Sequence, residues 1–321
     1  MEKRFDILAL GEILIDFTHN GTSNQGNGLF EANPGGAVSN VLAMMNKLGH
    51  SAAFMGKVGD DIFGHLLIKT LDDLSINTDY VLVDKEVRTT LAFVANDETG
   101  DRSFSFYRNP GADMMFTVNE VNEEAIKSSR IFHFGTLSMT HEGVRQATKK
   151  ALKVAKENAV LISFDPNLRE SLWDSLDNAK QQFDYGMRFC DVLKISDNEI
   201  QWFTGKDDYE EGVRYLQSEY NIPLILLSLG RDGSRAYYKD IRVDVPAFIQ
   251  ANTIETTGAG DTFFGSVLHF VLEKGLKNLD SHVLTEMLTF SNAAASIITT
   301  RKGALKVMPK KEKIMKLMEG Q

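Results

Sequence analysis

Short runs of apolar, β-favouring residues recur along the chain, at 5–10, 53–58, 131–134, 160–164, 192–195 and 224–229. Each has the length of a strand buried on both faces, and helix-like segments occupy most of the intervals between them. The segment 37–48 sets Val38, Val41, Leu42, Met45 and Leu48 on one face at helical spacing, and Gly49 stands where such a helix would stop. Alternation of this kind predicts an α/β architecture in which a mostly parallel sheet is covered by helices on both sides. Ligands of such sheets gather beyond the carboxyl ends of the strands, so polar residues at those ends are the ones to examine.

Two stretches break the rhythm. Residues 17–33 are rich in Gly, Asn, Ser and Thr, while 88–107 reads as two alternating strands, 90–94 and 103–107, joined by a turn at 96–101. Together they predict a small β-lid, with segments of about 17–33 and 88–113 inserted into one main domain spanning 1–321. No internal repeat, low-complexity tract or proline-rich linker divides the chain, and it ends in a lysine-rich helical segment at 310–318.

At 321 residues and 43% hydrophobic, the chain can bury a sizeable core. The formal net charge of −9 argues against nucleic acid or an acidic lipid surface as partner, because both require clustered cations. No run is long and apolar enough to span a bilayer, and the residues from Met1 to Phe5 show no secretory pattern. One cysteine, Cys190, can form no internal disulfide and fits a reducing, cytoplasmic setting as a buried thiol. The seven histidines show no metal-ligand spacing, so no structural zinc site is expected.

The sharpest chemical signal is Glu255-Thr256-Thr257-Gly258-Ala259-Gly260-Asp261-Thr262-Phe263, followed by an apolar helical stretch that closes at Gly275. Small residues let the backbone approach a ligand. A helix starting near Gly258 would aim free N–H groups and its positive dipole end at that ligand, which suits a phosphoryl group. Phosphoryl transfer needs positioning, charge stabilisation and a carboxylate to take the attacking hydroxyl's proton, and Asp261 in the first turn is the natural base. The bare pattern also fits an ordinary loop with Asp261 capping a helix. No Gly-x-x-x-x-Gly-Lys-Ser/Thr loop occurs, so a nucleotide would have to be held in another way.

Asn33-Pro34-Gly35-Gly36-Ala37-Val38-Ser39-Asn40 and Gly56-Lys57-Val58-Gly59-Asp60-Asp61-Ile62-Phe63-Gly64 come earlier in the chain. This pair of blocks resembles the first signature of the ribokinase-like (phosphofructokinase B type) carbohydrate kinases, and the 258–261 segment resembles their second. Resemblance runs from Leu10 to about Pro309 with the blocks in order. It implies a three-layer ribokinase-like fold and an ATP- and magnesium-dependent sugar kinase. Asp16, Gly35, Gly36 and Asn40 would then grip a polyol, with Gly258, Ala259 and Gly260 as the anion cradle beside Asp261.

Further blocks narrow the subgroup. Arg88-Thr89-Thr90-Leu91-Ala92-Phe93, Phe106 to Asp113, His133-Phe134-Gly135 and Asp165-Pro166-Asn167-Leu168-Arg169 with Trp173 resemble fructokinases, and a 2-keto-3-deoxygluconate kinase branch shares parts of them. Arg108 on the lid and Arg169 at a strand end would donate to sugar or phosphoryl oxygens. By the same resemblance, Glu199 would organise magnesium through water. Lys194, Ser228, Gly230, Gly233, Asn292 and Gly303 would line the ATP site.

Two departures bear on a monovalent cation, which several members of the family bind near the anion cradle. Glu255 stands where aspartate is usual, and Val307 aligns with a serine of that cation site, so potassium activation is not expected. The resemblance also implies a homodimer formed through the lids. The reading that follows is transfer of the ATP γ-phosphoryl to a primary hydroxyl, O6 of D-fructose. Other ketoses, ribose or 2-keto-3-deoxygluconate are the alternative acceptors, and a non-catalytic sugar-binding regulator is the alternative class.

Overall fold

The computed structural model describes residues 3–96 and 102–320. The strands, in chain order, are β1 (Phe5–Leu10), β2 (Leu14–Thr22), β3 (Gly28–Gly35), β4 (Ala52–Gly59), β5 (Asn77–Asp84), β6 (Leu91–Asn96), β7 (Arg102–Tyr107), β8 (Ser129–Gly135), β9 (Leu161–Asp165), β10 (Val192–Ser196), β11 (Leu224–Ser228), β12 (Ser234–Tyr238) and β13 (Ile241–Val245). Nine of them form one sheet in the order β13-β12-β11-β10-β9-β8-β1-β4-β5, and the other four form a second sheet in the order β3-β2-β6-β7.

The large sheet is parallel from β5 to β11 and turns antiparallel only at its β12–β13 edge. Two apolar clusters, one on each face, account for the unbroken hydrophobicity of the central strands. Ile7, Ala9 and Leu226 belong to one cluster, and Leu8, Leu10 and Leu227 to the other. From β1 the chain lays β4 and β5 on one side and later places β8 on the other. The order therefore reverses between β1 and β8, and a crevice opens at their carboxyl ends.

The expected lid is the second sheet. β2 leaves the core and returns as β3, with Asp16 opposite Asn33, and β6 pairs in parallel with β2. Phe17 stacks on Phe93 and meets Phe63 edge-on, which pins the lid's root to the Ile62–Asp73 helix. The expected turn at 96–101 lies, beyond Asn96, outside the described residues.

Strands β5, β12 and β13 were not among the apolar runs. β5 is at intermediate exposure over most of its length, with no buried position, and the β12–β13 hairpin turns at Lys239 in the left-handed region (φ 53°) without the glycine that would have marked it.

The Ala259–Lys274 helix crosses the Ala37–Lys47 helix so closely that a Cβ at Gly265 would stand 2.7 Å from Met44 Cβ and 3.1 Å from the Val41 carbonyl oxygen. Neither neighbour is the free end of a flexible side chain. Gly265→Ala should therefore cost about 1–3 kcal/mol of stability through overpacking. A denaturant midpoint unchanged from the parent would show that the two helices can separate freely.

Candidate active site

Gly258 adopts φ 75°, and a Cβ there would lie 2.5 Å from Ala304 Cβ, so the turn before the Ala259–Lys274 helix requires glycine on both counts. The helix begins there without a side-chain cap. Its first-turn N–H groups lie at the positive end of the helix dipole, without intrahelical acceptors. The helix start read from the sequence at Gly258 is present, but the Ala259 N–H expected in the cradle donates to the Thr256 carbonyl at 3.2 Å, so only the amides that follow it can be open.

Asp261 in that turn faces a cleft of about 630 Å³ that Asp16, Gly36, Asn40, Arg169, Lys194 and Gly260 also line. Asn40 lies in the first turn of the Ala37–Lys47 helix, and its Nδ2 donates to Asp261 Oδ2 at 2.8 Å. Burial raises the Asp261 carboxyl, while the Asn40 hydrogen bond and the charges of Lys194 and Arg169 oppose that rise.

The Gly35-Gly36 pair permits two close approaches. A Cβ on Gly35 would stand 2.5 Å from Asp16 Oδ2, and one on Gly36 would stand 2.6 Å from the Glu12 carbonyl oxygen. Gly36 also holds φ 128°. The glycines thus bring strand β2 and its carboxylate against the start of the helix that carries Asn40.

Lys194, on β10, sits behind the cradle. A Cβ on Gly260 would be 3.2 Å from its Nζ, and the ammonium contacts both carboxylate oxygens of Asp165 at 3.1 Å. Burial alone would lower Lys194, but the carboxylates of Asp165, Glu199 and Asp261 outweigh it and hold the ammonium charged. Asp165 is pushed up by burial against the pull of Lys194, and its Oδ2 has no hydrogen-bond partner. Lys194 also lines a smaller adjoining cavity of about 370 Å³ together with Ser196 and Glu199. A fixed cation therefore stands where the two cavities meet.

Glu199 lies in the Asp197–Thr204 helix and is buried, with both oxygens engaged. Oε1 accepts from Leu168 N at 2.7 Å, and Oε2 accepts from Ser196 N and Oγ at 2.9 Å each. Oε2 is filled by its two bonds, so a single lone pair, on Oε1, is left to accept from water.

Other expected contacts stand elsewhere. Arg108 is buried away from the main cleft, where Nε donates to Asp113, Nη1 to Thr140 Oγ1 and Nη2 to the Leu137 carbonyl. It lines an adjoining cavity that shares Phe106 and Ser171 with the main cleft, and its guanidinium bonds tie the lid's last strand to the region after β8. Asn292 is buried, with Nδ2 donating to the carbonyls of Val245 and Pro246 and Oδ1 accepting from Ser234. Ser228 ends β11, and Gly230 and Gly233 both take positive φ in the turn that follows. A Cβ on Gly233 would stand 2.1 Å from the Val245 carbonyl oxygen, so that glycine is dictated by packing. Gly303 N–H donates to Glu255 Oε1 at 2.8 Å, and Arg301 Nη1 donates to the Val307 carbonyl.

Two carboxylates of the site were not singled out from the sequence. Glu12 follows β1 and lines the main cleft, and its Oε1 accepts from Ala37 N at 2.7 Å; burial raises it to about 7. Asp165 closes β9. Both stand at carboxyl ends of parallel strands, so the rule that ligands gather there could have found them.

Comparison with known proteins agrees with this geometry. A family model described as "pfkB family carbohydrate kinase" matches residues 4–311. Fructokinase-2 of Solanum lycopersicum is 40% identical over 317 residues, covering 98% of this chain and 96% of the relative. The crystal structure of fructokinase with bound ATP from Xylella fastidiosa superposes with a TM-score of 0.89 at 28% identity, covering 98% of this chain and 99% of that one. Fructokinase from Vibrio cholerae O395, in a form with fructose, ADP and calcium ion bound, gives a TM-score of 0.87 at 28% identity over 98% and 99% of the two chains. A helix start beside a half-buried carboxylate lies at the switch point of a parallel sheet under a small β-sheet, and the family model matches almost the whole length around it: this chain belongs to the pfkB family of carbohydrate kinases.

Proposed function

We propose that this protein transfers the γ-phosphoryl of ATP to the O6 hydroxyl of D-fructose, giving ADP and D-fructose 6-phosphate. The observation that carries the reading is the convergence of Asp261 and the first-turn amides of the Ala259–Lys274 helix on one cleft. Fructose and ADP bound in the Vibrio relative, and ATP bound in the Xylella relative, support the two substrates.

In this scheme Asp16, Gly36 and Arg169 hold the sugar so that O6 approaches Asp261, and the hydroxyl proton passes to the carboxylate as the O–P bond forms. The bond from the γ-phosphorus to the β–γ bridging oxygen breaks, and ADP leaves with the electron pair. Amides around Gly258 and Gly260, together with the Lys194 ammonium, stabilise charge on the transferring oxygens, while the Ala259 N–H stays with the Thr256 carbonyl. Ser228, Gly230, Gly233 and the Gly303 turn shape the nucleotide side, with Asn292 bracing the β12–β13 edge behind it. The lid over a single kinase domain excludes water, so that ATP is not hydrolysed.

Magnesium fits the donor set. Asp165 offers a buried carboxylate whose Oδ2 meets the Lys194 ammonium at 3.1 Å and accepts no hydrogen bond, and Glu199 stands in the helix that follows the next strand; a hard cation takes such oxygens. When bound, it neutralises phosphate charge during transfer. A monovalent cation fits poorly, since Val307 gives no side-chain oxygen, its carbonyl accepts from Arg301, and Glu255 holds Gly303. The cytoplasm suits buried Cys190, whose thiol is pushed up by its surroundings. Exposed Leu29, Phe30 and Tyr107 on the lid favour a homodimer.

A coupled ADP-release assay with magnesium and ATP should give the highest kcat/KM with fructose among fructose, tagatose, ribose and 2-keto-3-deoxygluconate. A higher value with another sugar would reassign the substrate, and no ADP release with any of them would sink the kinase reading. Asp261→Asn should lower kcat by roughly 10²–10⁴ with sugar affinity retained; near-normal turnover would remove Asp261 as base.

The Asn40 hydrogen bond favours ionised Asp261, so Asn40→Ala should raise the carboxyl further and move the acid limb of the kcat/KM profile to higher pH. An unmoved or downward limb would count against the contact. Sedimentation velocity should report a dimer that Phe30→Lys with Tyr107→Lys dissociates, whereas a monomeric parent would refute the lid interface.

A further inference from the structure

Far from the cleft, at the opposite end of the helix that carries Asp261, two buried histidines from distant parts of the chain meet. His50 follows the end of the Ala37–Lys47 helix, and His269 belongs to the Ala259–Lys274 helix. Both are 7% exposed, and His50 Nε2 lies 2.7 Å from His269 Nδ1. Glu273 is one helical turn beyond His269, on the same face. A ligand atom from each of His50, His269 and Glu273 lies within 4.8 Å of the other two.

We propose that His50, His269 and Glu273 form a binding site for a transition-class divalent cation, zinc in the first instance, clipping the turn before β4 to the helix that carries the catalytic turn at its other end. Imidazole nitrogens with one carboxylate select zinc, cobalt or nickel over the hard cations that a phosphoryl site uses. Desolvation holds both rings below the usual histidine range, His269 at about 4; in the neutral pair one of the two facing nitrogens donates to the other, and zinc replaces that hydrogen bond when the donor ring shifts its N–H to its other nitrogen.

The outer shell is also built. Asp6 Oδ2 faces His50 Nδ1 at 3.7 Å, and Asp6 is fixed by Ser51 N and Oγ and by Arg130. A carboxylate on that side favours the proton on Nδ1 electrostatically, although 3.7 Å is longer than a hydrogen bond, and so favours Nε2 as the metal-facing nitrogen. Nitrogens on one zinc, each about 2.0–2.1 Å from it, stand roughly 3.4 Å apart in a tetrahedral site. The pair must therefore open by less than about 1 Å, and Glu273, exposed and on a flexible stem, can swing to the third position with water as the fourth ligand.

The site is tested on the full-length protein, stripped of metal with a chelator and free of ATP, by calorimetric titration with zinc chloride and by the visible absorption of added cobalt. One equivalent of zinc should bind at micromolar affinity or tighter and raise the melting temperature. Glu273→Gln should weaken binding roughly ten-fold or more, and His269→Gln should abolish both that equivalent and the thermal shift.

Should His269→Gln fail to fold by circular dichroism, Glu273→Gln at its exposed position carries the test. Zinc absent from the parent would overturn the site. So would an equivalent whose affinity is unchanged in the folded variants, because it would then belong to the carboxylates of the cleft.

Discussion

The proposed chemistry depends on one local constraint: a helix must begin without a cap, pointing at the place where a carboxylate of its own first turn also faces. Gly258 meets it by taking a left-handed conformation in contact with Ala304, where any side chain would collide. The bare amides are tolerable because the cleft exposes them to solvent or an anion. Asp261 lies among them at intermediate exposure, and the Asn40 amide limits the cost of ionising it.

Around that point the site is a small electrostatic system. Lys194 stands among three carboxylates, Asp165, Glu199 and Asp261, and their joint attraction keeps it charged despite burial. A cation fixed this way need not reorganise when a phosphoryl group arrives, which is the condition under which a preorganised charge stabilises transfer. The glycines at 35 and 36 act on geometry, letting Asp16 and the Asn40 helix converge from different layers. Arg108, held by Asp113, Thr140 and Leu137, ties the lid's last strand to the region after β8.

Much of the fold was legible because its cause is local. Burial on both faces leaves unbroken apolar strands, and six of them were visible as such. The β12–β13 hairpin was not, since its turn at Lys239 lacks the usual glycine, and neither was β5, whose exposure is mixed. In the site, the segment around Gly258 and Asp261 was readable from small residues before an apolar helix with an acid in its first turn, taken together with its resemblance to the family's second signature, since the bare pattern also fits a capped loop. Glu12 and Asp165 were overlooked because a lone carboxylate after a strand has no pattern of its own until the strand's direction in the sheet is known.

The sequence by itself determined the alternation of strands and helices, the lid, the uncapped helix start and the family, since each is written in residues close together along the chain. Tertiary structure alone decided which distant residues share a space. Asn40 meets Asp261 across 221 positions and His50 meets His269 across 219, while Arg108 is drawn away from the cleft to Asp113. Periodicity and turn chemistry act over a few residues, whereas these meetings follow from strand order and helix packing, which no short pattern encodes.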